Sequence, residues 1–256
     1  MDLGLKGKRA IVLGGTRGIG RAIADLLADE GADVAICARN QDQIDSAVTD
    51  LKSKGVSAHG RSVDIADREA LTNWVNDAAG LLGGVDILVS NASALSAGNA
   101  EDNWQAGFDI DVMGAQRSIT AAQPHLEKAA AENGDASIII ISSVSAAETS
   151  YPNAYGAMKA ALIHVGKGYA KQLAEKHVRC NVVSPGTVYF KGGVWNMIEE
   201  NMPDMYKDAM SNNPTGRMAT PEDIANASVF LASPCSSFTT GVNLVVDGAY
   251  TTRVNF

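Results

Sequence analysis

The chain has 256 residues, 46 % of them apolar and 20 % charged, and a formal net charge of −8 with acids and bases interspersed. Such a chain buries roughly 70–75 % of its unfolded surface on folding, and its composition excludes wholesale disorder. The negative charge argues against a nucleic-acid partner, which needs a basic face, but leaves room for one bound anionic cofactor beside a local arginine. In chain order, residues 9–14 predict a first strand, 18–31 a helix closing on Gly31, 33–38 a second strand and 41–54 a helix ending at Gly55. A third strand is expected within 56–63, a helix across 67–82, a fourth strand at 86–90 and, after a long helical region, a fifth at 137–142. A helix over 155–176 and strands at 179–184 and 242–247 complete the series. Alternation of this kind predicts an α/β, doubly wound parallel sheet of about seven strands with helices on both faces.

Ile138, Ile139, Ile140 and Ile141 form an unbroken apolar run that suits a sheet covered on both sides. No linker, repeat or charge block interrupts the chain, so one domain spanning 1–256 is expected. Residues 187–217 are irregular, with scattered Gly, Pro, Asn and Met, and read as a lid over a site. The polar segment 1–8 leads straight into a strand and carries no secretory signal. The isoleucine run is too short to span a bilayer. Cys37, Cys180 and Cys235 have no metal-ligand spacing and read as small apolar residues in a reducing compartment. A cytoplasmic protein without a metal or a membrane partner is the expectation.

Between the first strand and its helix lies Gly14-Gly15-Thr16-Arg17-Gly18-Ile19-Gly20. Glycines at 14, 18 and 20 let the chain turn tightly and bring backbone up to a pyrophosphate at a helix N-terminus, the Rossmann-type arrangement. A glycine-rich turn alone is a weak signal, because strand-to-helix turns need glycine anyway; the placement strengthens it. At the end of the second strand, where a carboxylate would grip the ribose hydroxyls of NAD, stand Ala38 and Arg39. A guanidinium there binds a 2′-phosphate bidentately, with Arg17 as a second contact, so NADP(H) is favoured over NAD(H). The alternative is a solvated Arg39 at a strand end. Asp64 and Ile65 could reach the adenine edge and Asn91 could lie over the cofactor, or each could be turn chemistry.

Tyr155 and Lys159 are four residues apart at the start of a helix and share a face. An ammonium beside a phenol favours phenolate, so the pair can pass a proton to or from a carbonyl oxygen. Ser142 or Ser143, at the end of the fifth strand, could hydrogen-bond the same oxygen. The spacing is common on helix surfaces, and the serine at a strand end is what gives it weight.

With these motifs, Asn181-Val182-Val183-Ser184-Pro185-Gly186, the Arg217 to Asp223 stretch and Val246-Asp247-Gly248, the chain resembles the short-chain dehydrogenase/reductase family over nearly its whole length. The resemblance implies Tyr155 as acid/base and Lys159 as the residue that promotes its ionisation and binds the nicotinamide ribose. It implies Ser143, in the Ile-Ser-Ser-Val pattern, as the group orienting substrate, and Pro185, Gly186 and Val188 as packing for the nicotinamide. It also implies a homotetramer, or a homodimer, built through the C-terminal region.

Three departures stand out. Leu13 replaces the usual Thr, Ser93 the usual Gly, and Asp111 an Asn that holds a water in the proton relay behind the Lys. An anion at 111 is expected to dilute the effect of Lys159 on Tyr155 while preserving the relay in altered form. The resulting reading is an NADP(H)-dependent enzyme interconverting a secondary alcohol and a ketone, with Ser143, Tyr155, Lys159 and Asp111 in the catalytic group. The alternative is a non-catalytic NADP(H) sensor on the same fold. Tyr189, Phe190 and Trp195, followed by Met197, Met202, Met205 and Met210, point to a substrate with a hydrophobic or ring part; a short helix burying one face would explain the Met spacing equally. Trp104 and Leu95 either complete that pocket or merely pack.

Overall fold

The computed structural model describes residues 2–254. Seven strands, β1 (Arg9–Leu13), β2 (Asp33–Ala38), β3 (Ala58–Ser62), β4 (Ile87–Ser90), β5 (Ala136–Ile141), β6 (Val178–Pro185) and β7 (Asn243–Val246), form one sheet in the order β3-β2-β1-β4-β5-β6-β7. Every pairing is parallel. The strand side chains alternate between two cores. Ile11, Leu13, Ile138 and Ile140 face one, with Trp74, Ile119, Leu126 and Leu162. Val12, Ile139 and Ile141 face the other, with Ile23, Leu27, Leu51 and Val229. Each fully buried side chain of this size is worth about 1.5–3 kcal/mol, so the isoleucine run of β5 anchors both layers at once.

The first core lies under α3 (Arg68–Leu82), α5 (Met113–Asn133) and α6 (Ala154–Leu173), the second under α1 (Gly18–Asp29), α2 (Gln41–Ser53) and α9 (Pro221–Ala232). Helix α9 is not among the elements expected from the sequence. It starts with Pro221 in its first turn, and the Asp223 carboxylate accepts the Thr220 N–H at 2.8 Å. The long helical region expected before β5 is α4 (Glu101–Gly107) and α5, joined by a π-helical turn at Phe108–Val112. Residues 187–217 contain α7 (Val194–Asn201) and α8 (Pro203–Ser211). Among the described residues no helix is long and apolar enough to cross a membrane.

The end of α9 is tied to the sheet by Arg179 on β6, which is buried. Its guanidinium pairs with Asp135 at 2.7 Å and donates to the carbonyls of Leu231, Ala232 and Ser233. A lysine cannot reproduce that planar fork. Arg179→Lys is expected to cost about 1–3 kcal/mol through carbonyls left unpaired, measured as a lower urea midpoint at unchanged slope.

Chain order explains where a site belongs. From β1 the chain builds outward to β2 and β3, then crosses back to β4 on the other side of β1. The connections after β1 and β4 therefore diverge, leaving a crevice at the C-terminal ends of the strands.

Candidate active site

The glycine turn follows β1 directly into that crevice. Gly14 has φ +74° and Gly18 φ +55°, both in the left-handed region that glycine adopts without cost. A Cβ on Gly20 would collide with the Gly14 carbonyl oxygen, so the turn closes on itself too tightly for any side chain. Gly15, outside the G-x-x-x-G-x-G reading, is equally constrained: its Cβ would lie 2.6 Å from Ile36 Cγ2 on β2. The Gly14 N–H donates to the Cys37 carbonyl at 2.8 Å, so Leu13 in place of a hydroxyl residue does not leave the turn unheld. Asn91, following β4, braces it from the other side, donating to the Gly14 carbonyl at 3.1 Å. Beneath the turn, burial pushes the Cys37 thiol up to about 12, and the same cause acts on Cys180. Both are inert packing groups, as expected.

The N-terminus of α1 receives no side-chain cap, and its first turn holds no acidic residue. Its leading amides therefore present partial positive charge to the crevice. Arg17 stands at the N-cap of α1, and Arg39 follows the end of β2. Arg9, Arg21, Arg61, Arg179 and Arg217 are each spent on an aspartate. Arg17 and Arg39 are exposed and form no ion pair among the described residues. Asp64 accepts the Ala66 N–H at 3.0 Å, which makes it a turn former, and Ile65 packs against Gly114 of α5. Both follow the end of β3.

On the far side of β4, α6 begins at Ala154 with Asn153 as its cap, Oδ1 accepting the Gly156 N–H at 2.8 Å. That cap sets Tyr155 in the first turn and Lys159 one turn on, with the Lys159 ammonium 5.5 Å from the Tyr155 ring centroid. Lys159 is only 2 % exposed. Its Nζ donates to the Ile141 carbonyl at 3.1 Å and lies 2.9 Å from Asp111 Oδ1, an ionic contact without hydrogen-bond alignment. Asp111 is 3 % exposed and sits in the π-helical turn; its Oδ2 accepts the Ala94 N–H at 2.8 Å. The structure thus joins Asp111 directly to Lys159.

The two serines separate cleanly. Ser142 donates to the Lys159 carbonyl at 2.8 Å and is committed to the helix behind it. Ser143 Oγ accepts the Ser145 N–H at 3.1 Å, which leaves its hydroxyl proton free to donate. The turn at Val144–Ala146 packs on the first turn of α6, with the Ser145 carbonyl 2.7 Å from where a Cβ on Gly156 would stand. Ser93 Oγ accepts the Leu95 N–H, and Leu95, a half-exposed residue at φ +53°, stands in the same β4 connection. Pro185 closes β6. Gly186 packs on Asp247, whose Cβ lies 2.7 Å from where its own would be, and Val188 bridges to Ala219.

The aromatics of 187–217 do not act together as pocket lining. Tyr189 donates to Glu199 at 2.5 Å and meets Tyr206 edge-on, and the Glu199 hydrogen bond raises its phenol above the ordinary value. Phe190 turns inward onto Gly18, a contact that nothing in the sequence signals. Trp104 donates to Asn99 at 3.1 Å. The apolar groups left exposed are Leu95, Val194, Met197, Met202 and Met205.

Known proteins resemble this chain in sequence and fold. A family model described as enoyl-(acyl carrier protein) reductase matches residues 14–251. Isoepoxydon dehydrogenase of Penicillium expansum is 37 % identical over 253 residues, covering 97 % of this chain and 96 % of that protein. A 7 alpha-hydroxysteroid dehydrogenase complexed with NADH and 7-oxo glycochenodeoxycholic acid superposes with a TM-score of 0.89 at 30 % identity, covering 99 % of this chain and 98 % of that one. L-sorbose reductase of Gluconobacter frateurii, complexed with NADPH and L-sorbose, gives a TM-score of 0.90 at 31 % identity over 99 % and 100 % of the two chains. The chain belongs to the short-chain dehydrogenase/reductase family of oxidoreductases.

Proposed function

We propose that this protein is an NADP(H)-dependent oxidoreductase that interconverts a secondary alcohol and a ketone, with Tyr155 as its acid/base. The observation that carries the reading is the Lys159 ammonium set against the Tyr155 ring, with Ser143, whose hydroxyl is free to donate, leading the turn that packs on the same end of α6. NADP(H), when bound, supplies or accepts the hydride. In the reducing direction Tyr155 gives its phenolic proton to the substrate oxygen, and in the oxidising direction it takes that proton back. Ser143 donates a hydrogen bond to the same oxygen and fixes its position. Lys159 stabilises the phenolate through its charge and holds the nicotinamide ribose, while Asp111 holds Lys159.

The crevice suits the dinucleotide. The glycine turn has no room for a Cβ at Gly15 or Gly20, which keeps its backbone bare, and the uncapped α1 favours an anion. Gly14, Thr16, Arg17, Gly18, Ile19 and Gly20 hold the pyrophosphate in this reading. Asp64 and Ile65 border the adenine, and Pro185, Gly186 and Val188 pack the nicotinamide. Asn91 serves indirectly, by bracing the turn.

Similar structures carry NADP or NADPH in several cases and NADH in another, so in this chain the phosphate preference rests on Arg39. Losing one charge-assisted contact costs about 1.5–3 kcal/mol. Arg39→Ala is therefore expected to raise the NADPH KM about 10–100-fold and to leave the NADH KM nearly unchanged, read from paired steady-state titrations.

Residues 187–217 act as a lid of the single domain. The exposed Leu95, Val194 and Met197 favour a substrate with a hydrophobic or ring part. Phe230, Phe238, Val242 and Leu244 expose apolar surface around the β7 edge, which supports a cytoplasmic homotetramer or homodimer. The test of the whole reading is a titration with NADPH and NADH, then a ketone and alcohol panel followed at the nicotinamide absorbance. Tight NADPH binding without turnover on any panel member would replace the enzyme by a redox sensor, a reading that the direct Asp111–Lys159 pair makes concrete.

A further inference from the structure

Phe190 stands where the lid segment meets the cofactor turn. Its backbone is fixed from two directions: the Tyr189 N–H donates to the Ala219 carbonyl at 2.8 Å, and the Phe190 carbonyl accepts the Gly193 N–H at 3.0 Å. Its ring packs on the core layer beneath α1 and α9. Its leading edge is then pressed between two glycines. A Cβ on Gly18, the first residue of α1, would lie 2.6 Å from Phe190 Cζ and 2.9 Å from Cε1. A Cβ on Gly193, the residue before α7, would lie 2.8 Å from the same Cε1 and 2.9 Å from the same Cζ.

The two glycines differ in a way that makes the contact informative. Gly18 has φ +55°, so its backbone alone favours glycine. Gly193 has φ −84° and ψ 175°, an extended conformation open to any residue. Glycine at 193 answers only to the ring. Gly192, one residue earlier, is the reverse case: φ +77° with open space around it. The adjacent pair therefore separates a backbone requirement from a packing one, and the packing requirement is Phe190.

We infer that Phe190 is a positioning residue that holds the α1 glycine turn in its cofactor-binding shape and couples it to the 187–217 segment. Gly18 is the first of the α1 residues whose amides face a bound pyrophosphate, and the ring meets the position its Cβ would take. The same ring edge sets the start of α7, the helix of the 187–217 segment that carries Val194, Trp195 and Met197. One flat side chain thus links the position of the cofactor turn to that segment. The inference rests on the NADP(H) reading above.

A double-mutant cycle tests it, with the NADPH dissociation constant from fluorescence titration and the melting temperature measured for each protein. Phe190→Ala removes the edge. Gly193→Ala pushes it toward Gly18 without straining its own backbone. Each is expected to weaken NADPH binding about tenfold, equivalent to 1.4 kcal/mol. In the double variant the methyl group added at position 193 enters space the ring has left, so its affinity is expected to be no worse than that of Phe190→Ala alone. Phe190→Leu, which keeps apolar bulk without the flat edge and folds most safely, is expected to fall between wild type and Phe190→Ala. Effects on affinity that simply add in the double variant, or single variants that bind NADPH as wild type while melting lower, would overturn the assignment and leave a ring with packing duties only. Failure of the wild type to bind NADPH or NADH would instead remove the functional reading beneath it.

Discussion

Tyr155→Phe is expected to cut turnover by about 10²–10⁴-fold, the usual worth of a positioned acid/base, with NADPH binding close to that of wild type. The substitution is local. Phenylalanine keeps the ring beside the Lys159 ammonium and removes only the hydroxyl. The hydrogen bonds that build the surroundings run between other groups: Ser142 to the Lys159 carbonyl, Lys159 to the Ile141 carbonyl, and Gly156 to Asn153. None of them is lost, so the cofactor crevice and the start of α6 stay in place. The measurement is single-turnover kinetics alongside an NADPH titration on the same preparation. Separating the two matters, because a fall in both would mean a damaged crevice. Turnover near the wild-type value would take the acid/base role away from Tyr155.

How much of this is legible in the sequence varies from residue to residue, for identifiable physical reasons. Strands such as β5 announce themselves because both faces are buried and the run must be continuously apolar. Tyr155 and Lys159 are legible because a helix fixes which residues share a face. Helix α9 is hard to read because its buried stripe includes Ser228 while Phe230 lies on the exposed face, so hydrophobicity does not trace the face that burial does. Strand β3, at Ala58–Ser62, falls within the expected 56–63 and is an edge strand whose last residues are exposed. The choice between Ser142 and Ser143 is set by the donor each hydroxyl has left once its neighbours are in place. Gly15 and Phe190 escape a sequence reading for one reason: their roles are set by the residues facing them, Ile36 and the glycine pair, which periodicity does not connect to them. Periodicity reports local geometry; it carries no information on which wall a loop side chain will meet.

The same limit applies to Asp111, where sequence supplies the departure and only the fold supplies the consequence. The π-helical turn at Phe108–Val112 brings the carboxylate to Lys159 and to the Ala94 N–H at once. One oxygen accepts the Ala94 N–H and the other makes an ionic contact with the ammonium, and a carboxamide cannot keep both. In Asp111→Asn, the amide oxygen can keep the Ala94 N–H, but the amide nitrogen then points at an ammonium. Both original groups are almost wholly buried, and breaking a buried pair by neutralising one partner leaves a charge without compensation. The expected loss is about 3–5 kcal/mol of unfolding free energy, read from urea denaturation. Turnover equal to that of wild type, in a variant shown to be folded, would mean that Asp111 holds the β4 connection through Ala94 and has no part in placing Lys159.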